Sequence, residues 1–144
     1  MKVVIALGSN LGDRKATLDD AVDQLRKIIT ITKVSTFIET DPVGGPDQPN
    51  YLNAVVIGES DLEPADLLAK MLAIENEAGR TREVRWGART LDLDLIVAGD
   101  TVMDTEFLTL PHPRAHERRF VLDPWLEVDP EAILPGCGEV RLLP

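Results

Sequence analysis

The segment from Val3 to Leu7 is apolar at every position, and it is the feature that most constrains how this chain can fold. Side chains on a β-strand point alternately to the two faces of a sheet, so an unbroken apolar run predicts a strand buried on both faces. The turn-rich residues 8–13 end this strand. We therefore expect a sheet in which the first strand is covered above and below.

Helices and strands alternate along the rest of the chain. Apolar residues recur at helical spacing from Leu18 to Ile28, with Asp13 as a candidate N-cap. A second helical pattern has Pro64 in its first turn, and its expected core stripe is Leu67, Leu68, Met71, Leu72, Glu75 and Ala78. Gly79 is expected to end that helix as a C-terminal cap. Segments rich in β-branched or apolar residues predict strands over 31–39, 51–58 and 91–98.

The C-terminal part of the chain carries weaker signals. Gly99-Asp100 is typical of a hairpin turn that leads into residues 101–103. Beyond Pro111 we expect irregular or briefly helical chain. Three prolines should prevent long elements there: Pro124, Pro130 and Pro135. The element order β-α-β-β-α-β with a C-terminal extension matches a ferredoxin-like α+β fold, an antiparallel sheet with helices packed on it.

The composition sets limits on function. A chain of 144 residues is expected to form one domain, residues 1–144, with a substantial core. The net charge of −10 argues against nucleic acid or a membrane surface as a partner, because both are anionic. Cys137 is the only cysteine, so no internal disulfide can form, and we expect its thiol to be buried and inert. No segment is typical of a signal peptide or membrane span, so we expect a cytoplasmic protein.

A cluster of arginines precedes the last predicted strand of the β-α-β-β-α-β core. Four of the ten residues from Arg80 to Arg89 are arginine, and Glu83 is the only acid among them. The cluster comprises Arg80, Arg82, Arg85 and Arg89. Because the planar guanidinium matches phosphate oxygens, the cluster is a candidate polyphosphate clamp, and a solvated loop with surface salt bridges is the alternative.

Two aspartates follow the arginines within the strand. In the segment from Leu91 to Ile96 the side chains alternate, so that Asp92 and Asp94 share one face while the leucines and Val97 share the core face. Two carboxylates on one face repel each other unless a cation lies between them, and their hard oxygens suit Mg²⁺. A solvent-facing acidic strand is the alternative interpretation, which the adjoining arginines make less attractive.

Several other residues could line a pocket. Trp86 lies within the arginine cluster, where it could pack into the core or stack on a flat ligand. Tyr51 and Asn53 face the same way on a strand, and an amide can read the donor and acceptor edge of a heterocycle, although such a pair taken alone is more often plain sheet packing. His112 lies between two prolines, where it could reach a phosphate or be a surface residue.

In these motifs the chain resembles the 6-hydroxymethyl-7,8-dihydropterin pyrophosphokinase family of the folate pathway, and the resemblance covers nearly the whole sequence. The most specific match is the segment from Arg85 to Asp94. The other matching segments are Gly8-Ser9-Asn10-Leu11, Asp47-Gln48-Pro49-Asn50-Tyr51-Leu52-Asn53, Leu110-Pro111-His112 and Arg118-Arg119-Phe120. The resemblance implies transfer of diphosphate from ATP to the hydroxymethyl oxygen of the reduced pterin, with AMP as the second product.

The resemblance also implies a role for individual residues. Asp92 and Asp94 would hold two Mg²⁺ ions on the phosphates of ATP, while Arg80 and Arg89 would neutralise the transferring group. The ATP side would comprise Glu75, Arg82, Arg85, Thr109, His112 and Arg118. The pterin would lie between Trp86 and Phe120. The remaining pterin contacts would come from Thr40, Pro42, Val43, Tyr51 and Asn53.

The sequence departs from the family pattern at a few positions. Ala88 stands where proline is common, and Phe107 stands where a basic residue that contacts ATP can occur. Two other functions are compatible with parts of this pattern: a ferredoxin-like module that senses a nucleotide or metal without chemistry, and a Mg²⁺-dependent nucleotide-sugar transferase. Neither explains the arginine cluster together with Trp86, Asn53 and Phe120. We expect a monomer whose substrates are small molecules.

Overall fold

The computed structural model describes residues 1–10, 12–41, 50–82 and 91–144, and for residues 80–82 it describes the backbone alone. Three helices are α1 Arg14–Leu25, α2 Pro64–Arg82 and α3 Arg119–Val128. The strands are β1 Lys2–Ser9, β2 Thr30–Val34, β3 Ile38–Thr40, β4 Tyr51–Glu59, β5 Asp92–Ala98, β6 Met103–Asp104, β7 Thr109–Leu110, β8 Ile133–Leu134 and β9 Gly138–Glu139. Single 3₁₀ turns occupy Ala115–Glu117 and Val140–Leu142.

Five strands form the main sheet. Its order is β2-β4-β1-β5, and β3 also pairs with β4. Each of these pairings is antiparallel, so the predicted α+β class with an antiparallel sheet is confirmed. The narrower ferredoxin-like assignment stays a prediction. The first strand lies between β4 and β5, as its unbroken apolar sequence requires.

The core is divided by the sheet into two parts. On one face α1 and α2 pack Leu18, Leu25, Leu67 and Met71 against the odd-numbered residues of β1. On the other face α3 packs Trp125 and its neighbours against Val4, Ala6 and residues of β4 and β5. The prediction that β1 is buried on both faces is confirmed, since Val3 to Leu7 are each at most 8% exposed.

The starts of both N-terminal helices agree with the sequence. The Asp13 carboxylate accepts a hydrogen bond from the Ala16 N–H at 3.1 Å, which is the expected N-cap of α1, and α2 begins at Pro64. The prediction that Gly79 ends α2 is wrong, because the helix continues to Arg82. Leu72, placed in the core stripe of this helix, is 39% exposed. The longer helix brings the first arginines of the cluster onto a regular element.

Replacing Gly79 by alanine should stabilise the protein. Within a helix, glycine costs about 0.5–1 kcal/mol relative to alanine because it has more conformational entropy to lose on folding. A Cβ at Gly79 would meet nothing within 4 Å, so the space is open. We expect the free energy of unfolding to rise by about 0.5–1 kcal/mol in a urea titration. A decrease would contradict the helical continuation, because it would indicate a left-handed cap that only glycine tolerates.

The single strand predicted over residues 31–39 is two strands. Ser35 interrupts it: its N–H donates to the Val55 carbonyl, and its hydroxyl accepts from the Val55 N–H, each at 2.9 Å. The next residue, Thr36, donates its N–H and hydroxyl to the Glu127 carboxylate of α3. The break is therefore a bulge that both β4 and α3 hold in place.

The predicted face of Val97 is also wrong. Val4 pairs with Val97 while Ile5 pairs with Leu95, so β5 has an irregularity in register between them. After this bulge the alternation of side chains shifts by one, and Val97 joins Ile96 in the α3 core instead of the leucines. Leu91, Leu93 and Leu95 lie in the other core, as predicted.

The C-terminal part differs most from the expectation. Gly99 does form a turn with φ of +57°, but β6 pairs with β7 and makes no hairpin with β5. Pro124 lies inside the ten-residue helix α3 rather than preventing it. Cys137 is exposed, not buried. Among the described residues, no helix has the length and apolar character that crossing a membrane would demand.

Candidate active site

Three adjacent strands place their functional residues in two rows. Gly8 on β1 pairs with Asn53 on β4 and with Asp92 on β5. Two residues away, Ala6 pairs with Val55 and with Asp94. Because residues in register share a face, both aspartates and Asn53 lie on the face that also carries α3.

The α3 helix covers only half of this face. Along β1 the side chains facing α3 become smaller, from Val4 to Ala6 to Gly8, while β4 and β5 change from apolar to polar residues at the same level. A Cβ at Gly8 would lie 2.9 Å from Asn53 Oδ1 and 3.6 Å from Tyr51 Cδ1. The small residues therefore leave an open floor in front of the polar side chains.

A cavity of about 690 Å³ lies above this floor. Its described lining consists of Ala6, Leu7, Gly8, Ile38, Thr40, Asp41, Tyr51, Asn53, Asp92, Asp94, Arg114, Glu117, Arg118, Arg119, Phe120 and Asp123. The floor comes from the main sheet and one wall comes from α3 with the 3₁₀ turn before it. The volume suits small-molecule substrates, which occupy cavities of about 300–1,000 Å³.

Asp94 faces the side chains of His112 and Arg118 across the floor. His112 Nε2 lies 3.8 Å from Asp94 Oδ1, and Arg118 Nη1 lies 3.8 Å from Asp94 Oδ2. Both distances exceed those of a hydrogen bond, and the Asp94 side chain is 40% exposed. The carboxylate is thus accessible from the cavity and its neighbours are not locked onto it.

His112 is held with one nitrogen toward Asp94. The His112 N–H donates to the Ile96 carbonyl at 2.9 Å, which ties this segment to β5, and the Arg114 N–H donates to His112 Nδ1 at 3.3 Å. Burial, and then the charges of Arg118 and Arg114, lower the pKa of His112 below its usual range against the opposing effect of Asp94. Because Nδ1 accepts the hydrogen bond from the Arg114 N–H, Nε2 is the nitrogen that can carry a proton toward Asp94.

Glu75 on α2 holds the aspartate strand from outside. Its Oε2 accepts a hydrogen bond from the Leu93 N–H at 2.7 Å. Leu93 lies between Asp92 and Asp94, and β5 is an edge of the main sheet among the described strands. A carboxylate acceptor at this position satisfies an N–H that has no further strand to pair with. Glu75 therefore positions the segment that carries both aspartates.

The opposite end of the cavity has amide, hydroxyl and aromatic groups. The Asn53 side-chain amide donates to the Thr40 hydroxyl, and Asn53 is only 5% exposed. Tyr51 pairs with Thr40 across β3 and β4. Phe120 lies across the cavity with the Arg118 guanidinium 5.6 Å from its ring centroid. Arg118 thus connects the aspartate end to the aromatic end.

The structure brings together many of the residues singled out in the sequence. Those that line the cavity are Thr40, Tyr51, Asn53, Asp92, Asp94, Arg118 and Phe120. Three others do not line it: Glu75 contacts β5, the Thr109 hydroxyl donates to Asp104, and His112 lies behind Asp94. Outside the described residues lie Pro42, Val43, Arg85, Trp86 and Arg89, and for Arg80 and Arg82 only the helical backbone is described.

Sequence reasoning missed several cavity residues. Asp41, Arg114, Glu117, Arg119 and Asp123 line the wall and rim. Three of the missed residues belong to the region around α3, which was not expected to be a helix of this length. The signal that could have revealed them is the apolar set Val121, Leu122 and Trp125, which has helical spacing on both sides of Pro124.

The donor set at the aspartates fits Mg²⁺. Of the described lining residues five are acidic and three are arginine, so a polyphosphate needs additional cations to enter. The described part of the chain has no group of three His, Cys, Asp or Glu side chains that could hold a metal. Two carboxylates on one face, with water and phosphate oxygens completing the shell, are how Mg²⁺ is usually bound with a nucleotide.

Comparison with known proteins identifies the family. The family model described as 7,8-dihydro-6-hydroxymethylpterin-pyrophosphokinase (HPPK) matches residues 4–130. A Bacillus subtilis protein named 2-amino-4-hydroxy-6-hydroxymethyldihydropteridine pyrophosphokinase is 52% identical over 126 residues, covering 86% of this chain and 75% of the relative. A Haemophilus influenzae protein of the same name is 43% identical over 135 residues, covering 92% and 84%.

Solved structures show the same fold. The chain superposes on a crystal structure titled HPPK-DHPS in complex with substrates with a TM-score of 0.76 at 13% identity, covering 97% of this chain. A Plasmodium falciparum HPPK-DHPS structure with pteroate gives a TM-score of 0.72 at 14% identity. This chain spans about two fifths of the length of those solved chains, 42% and 41%. The family match, the sequence relatives and the fold agree, and the chain belongs to the HPPK family.

Proposed function

We propose that this chain transfers diphosphate from ATP to the hydroxymethyl group of 6-hydroxymethyl-7,8-dihydropterin, as a Mg²⁺-dependent step of folate biosynthesis. The observation that carries the proposal is that Asp92 and Asp94 on one side of β1 and Asn53 on the other side share a sheet face, on the floor of one cavity. Carboxylates for a metal–phosphate complex and an amide for a heterocycle thus share one site. Membership of the HPPK family makes the reaction a pyrophosphokinase reaction.

The reaction requires little covalent chemistry from the protein. The hydroxymethyl oxygen bonds to the β-phosphorus of ATP, the bond from that phosphorus to the α,β-bridging oxygen breaks, and AMP leaves while the hydroxyl proton passes to solvent. Such transfers depend mainly on positioning and on neutralising the phosphate charge. The chain supplies both, through a rigid strand floor and through arginines.

Asp92 and Asp94 are proposed to hold two Mg²⁺ ions. When bound, these ions would neutralise the ATP phosphates and polarise the attacking hydroxyl group. Glu75 keeps both aspartates in place through Leu93. His112, whose Nε2 lies 3.8 Å from Asp94 Oδ1, is assigned to the ATP side by the family resemblance.

The arginines are proposed to bind the phosphates. Arg118 lies beside Asp94 and on the cavity wall, where it can reach an ATP oxygen that the metal leaves uncovered. Arg80 and Arg89 are assigned to the transferring group, on the family resemblance alone. The remaining ATP-side assignments, Arg82, Arg85, Thr109 and Glu75, rest on the same resemblance.

The pterin is proposed to bind at the other end of the cavity. Asn53 can read the edge of the ring system while the Thr40 hydroxyl orients the amide. Phe120 offers one aromatic face. Trp86 is assigned to the second face, and Pro42, Val43 and Tyr51 to the surroundings, by the family resemblance. Stacking between two rings would exclude water from the activated phosphate.

The deciding experiment follows the nucleotide product. The protein is incubated with ATP, Mg²⁺ and the reduced hydroxymethylpterin, and nucleotides and pterins are separated by chromatography. We expect AMP and pterin diphosphate in equal amounts, with neither formed when EDTA replaces Mg²⁺. ADP as the product, or AMP that forms without the pterin, would rule out the proposed transfer.

The cellular location of the protein and its partners are also proposed from the sequence. The lone cysteine and acidic composition favour the cytoplasm, where the substrates would be ATP and the pterin without a nucleic acid or membrane partner. We propose that the chain acts as a single-domain monomer. Sedimentation at the concentration of the assay would test the last point directly.

A further inference from the structure

Arg14 connects three separate parts of the chain. It is the first residue of α1, and its Nη1 donates to the Glu39 carboxylate at 3.1 Å and to the Asn50 carbonyl at 2.8 Å. Glu39 belongs to β3, and Asn50 directly precedes β4. A single guanidinium nitrogen therefore links the end of one strand to the start of the next.

The position of Arg14 is unfavourable for its own helix. The N-terminus of a helix carries a partial positive charge and prefers acidic side chains, yet α1 has no acid in its first turn. A residue that breaks a local preference usually serves a contact elsewhere. The Asp13 carboxylate at the N-cap accepts from the Ala16 N–H, and Arg14 has its partners outside the helix, in the Glu39 carboxylate and the Asn50 carbonyl.

The two contacts of Arg14 lie next to the aromatic end of the cavity. Glu39 is followed by Thr40, and Asn50 is followed by Tyr51, and these two neighbours pair with each other across β3 and β4. Thr40 in turn accepts the hydrogen bond from the buried Asn53 amide. Each residue of the Thr40–Tyr51 pair is thus adjacent in sequence to a residue that Arg14 contacts.

β3 depends on such a contact because it is short. It has three residues, and its ladder to β4 comprises the pairs Ile38–Asn53, Glu39–Leu52 and Thr40–Tyr51. The bulge at Ser35 separates β3 from β2, so β3 is not continuous with a longer strand and its ladder consists of these three pairs. On the other side, the Arg14 contacts hold the end of β3 that faces the cavity.

We propose that Arg14 is a positioning residue for the pterin: it fixes the Thr40–Tyr51 pair, and through Thr40 it fixes the orientation of the Asn53 amide. This inference rests on the proposed function, since it takes the aromatic end of the cavity as the pterin subsite. Arg14 is not among the described residues that line the cavity, so its loss should weaken pterin binding and leave the ATP end unaffected.

The test compares Arg14→Gln with Lys15→Gln. Lys15 is the next residue of the same helix turn, and among the described residues it pairs with Asp19 of α1 at 2.7 Å, so its replacement removes the same charge without changing a contact to β3 or β4. We expect Arg14→Gln to raise the KM for the pterin about five- to twentyfold, with the KM for ATP unchanged and kcat within about twofold of wild type. Lys15→Gln should leave all three constants unchanged.

Three further variants distinguish a positioning role of Arg14 from a general contribution to stability. Arg14→Lys keeps a charged donor and should recover part of the pterin affinity. Glu39→Gln should raise the pterin KM less than Arg14→Gln does. The double variant Arg14→Gln/Glu39→Gln should have a pterin KM no higher than that of Arg14→Gln alone, because both substitutions act on one contact. A purely structural role would lower the melting temperature without changing the ratio of the two KM values.

The outcomes distinguish this inference from the function on which it rests. A wild-type protein that forms no AMP with the pterin would overturn the proposed function, and the pterin role of Arg14 with it. An active wild type whose pterin KM is the same in Arg14→Gln and Lys15→Gln would overturn the inference alone. Equal increases in the KM for ATP and for the pterin would also overturn it.

Discussion

Replacing Asp94 by alanine is expected to lower turnover by on the order of a thousandfold, because the site loses one of its two carboxylates for the metal–phosphate complex. The aspartate lies in register with Ala6 on the cavity floor, and no other described acid occupies that row of the sheet. Neither water nor Asp92 alone can restore the local negative charge. Steady-state kinetics at several Mg²⁺ concentrations would measure the loss.

The fold should survive this substitution. The Asp94 side chain is 40% exposed and belongs to neither core. The sequence alone suggested that its removal would relieve repulsion with Asp92 and stabilise the protein. In the structure the Arg118 guanidinium lies 3.8 Å from Asp94 Oδ2, so a charge attraction is lost together with that repulsion. We expect the melting temperature to change by no more than about 4 °C.

Two control variants make the result for Asp94→Ala interpretable. Asp94→Asn keeps the size of the side chain and removes its charge, so it should be nearly as inactive as Asp94→Ala. Asp19→Asn on the surface of α1 removes one negative charge far from the cavity and should retain full turnover. Wild-type turnover in Asp94→Asn, or a collapse of the melting temperature in Asp94→Ala, would contradict a metal-binding role.

Replacing Glu75 by alanine is expected to lower turnover about 10- to 100-fold, the effect typical of losing a residue that orients a metal ligand. The Leu93 N–H would lose the acceptor now 2.7 Å away, at a cost of about 1–3 kcal/mol if it stays buried. The edge strand could then shift, and both aspartates would move with it. Activity should depend on higher Mg²⁺ concentrations in this variant.

Glu75→Gln separates positioning from a direct contact with ATP. The amide oxygen of glutamine can still accept from the Leu93 N–H, so a positioning role predicts activity close to wild type. A role that needs the negative charge predicts that Glu75→Gln and Glu75→Ala lose the same amount of activity. Glu77→Ala, at an exposed position two residues along the same helix, serves as the matched control. Should Glu75→Ala keep its wild-type Mg²⁺ dependence, positioning of the aspartates would be excluded.

Much of the sheet could be predicted because its signals are local. Val3 to Leu7 predicted a strand buried on both faces, and the alternation of leucine and aspartate from Leu91 to Asp94 predicted which side chains share a face. Both predictions are confirmed, since alternation depends only on strand geometry. The break at Ser35 and the shifted face of Val97 could not be predicted, because bulges depend on partner strands that the local sequence does not specify.

The helix α3 shows a different limit. A proline inside a helix removes one backbone hydrogen bond, so Pro124 argued against a long element. Burial of Trp125, Val121 and Leu122 against the sheet outweighs that cost in the folded protein. Because α3 supplies a wall of the cavity, missing it also meant missing Arg119 and Asp123. Tertiary packing therefore stabilises a helix that the local sequence disfavours.

By itself the sequence determined the chemistry of this protein: two carboxylates on one strand face, an arginine cluster beside them, and motifs specific enough to indicate the HPPK family. The shared strand face follows from local alternation, which does not depend on distant contacts, and the family follows from the resemblance of the motifs. Only the tertiary structure decided what positions those groups. The support of Asp92 and Asp94 by Glu75, and the Arg14 contacts that hold β3 to β4, join residues 18 to 36 positions apart, and such pairings exist only once the sheet has formed.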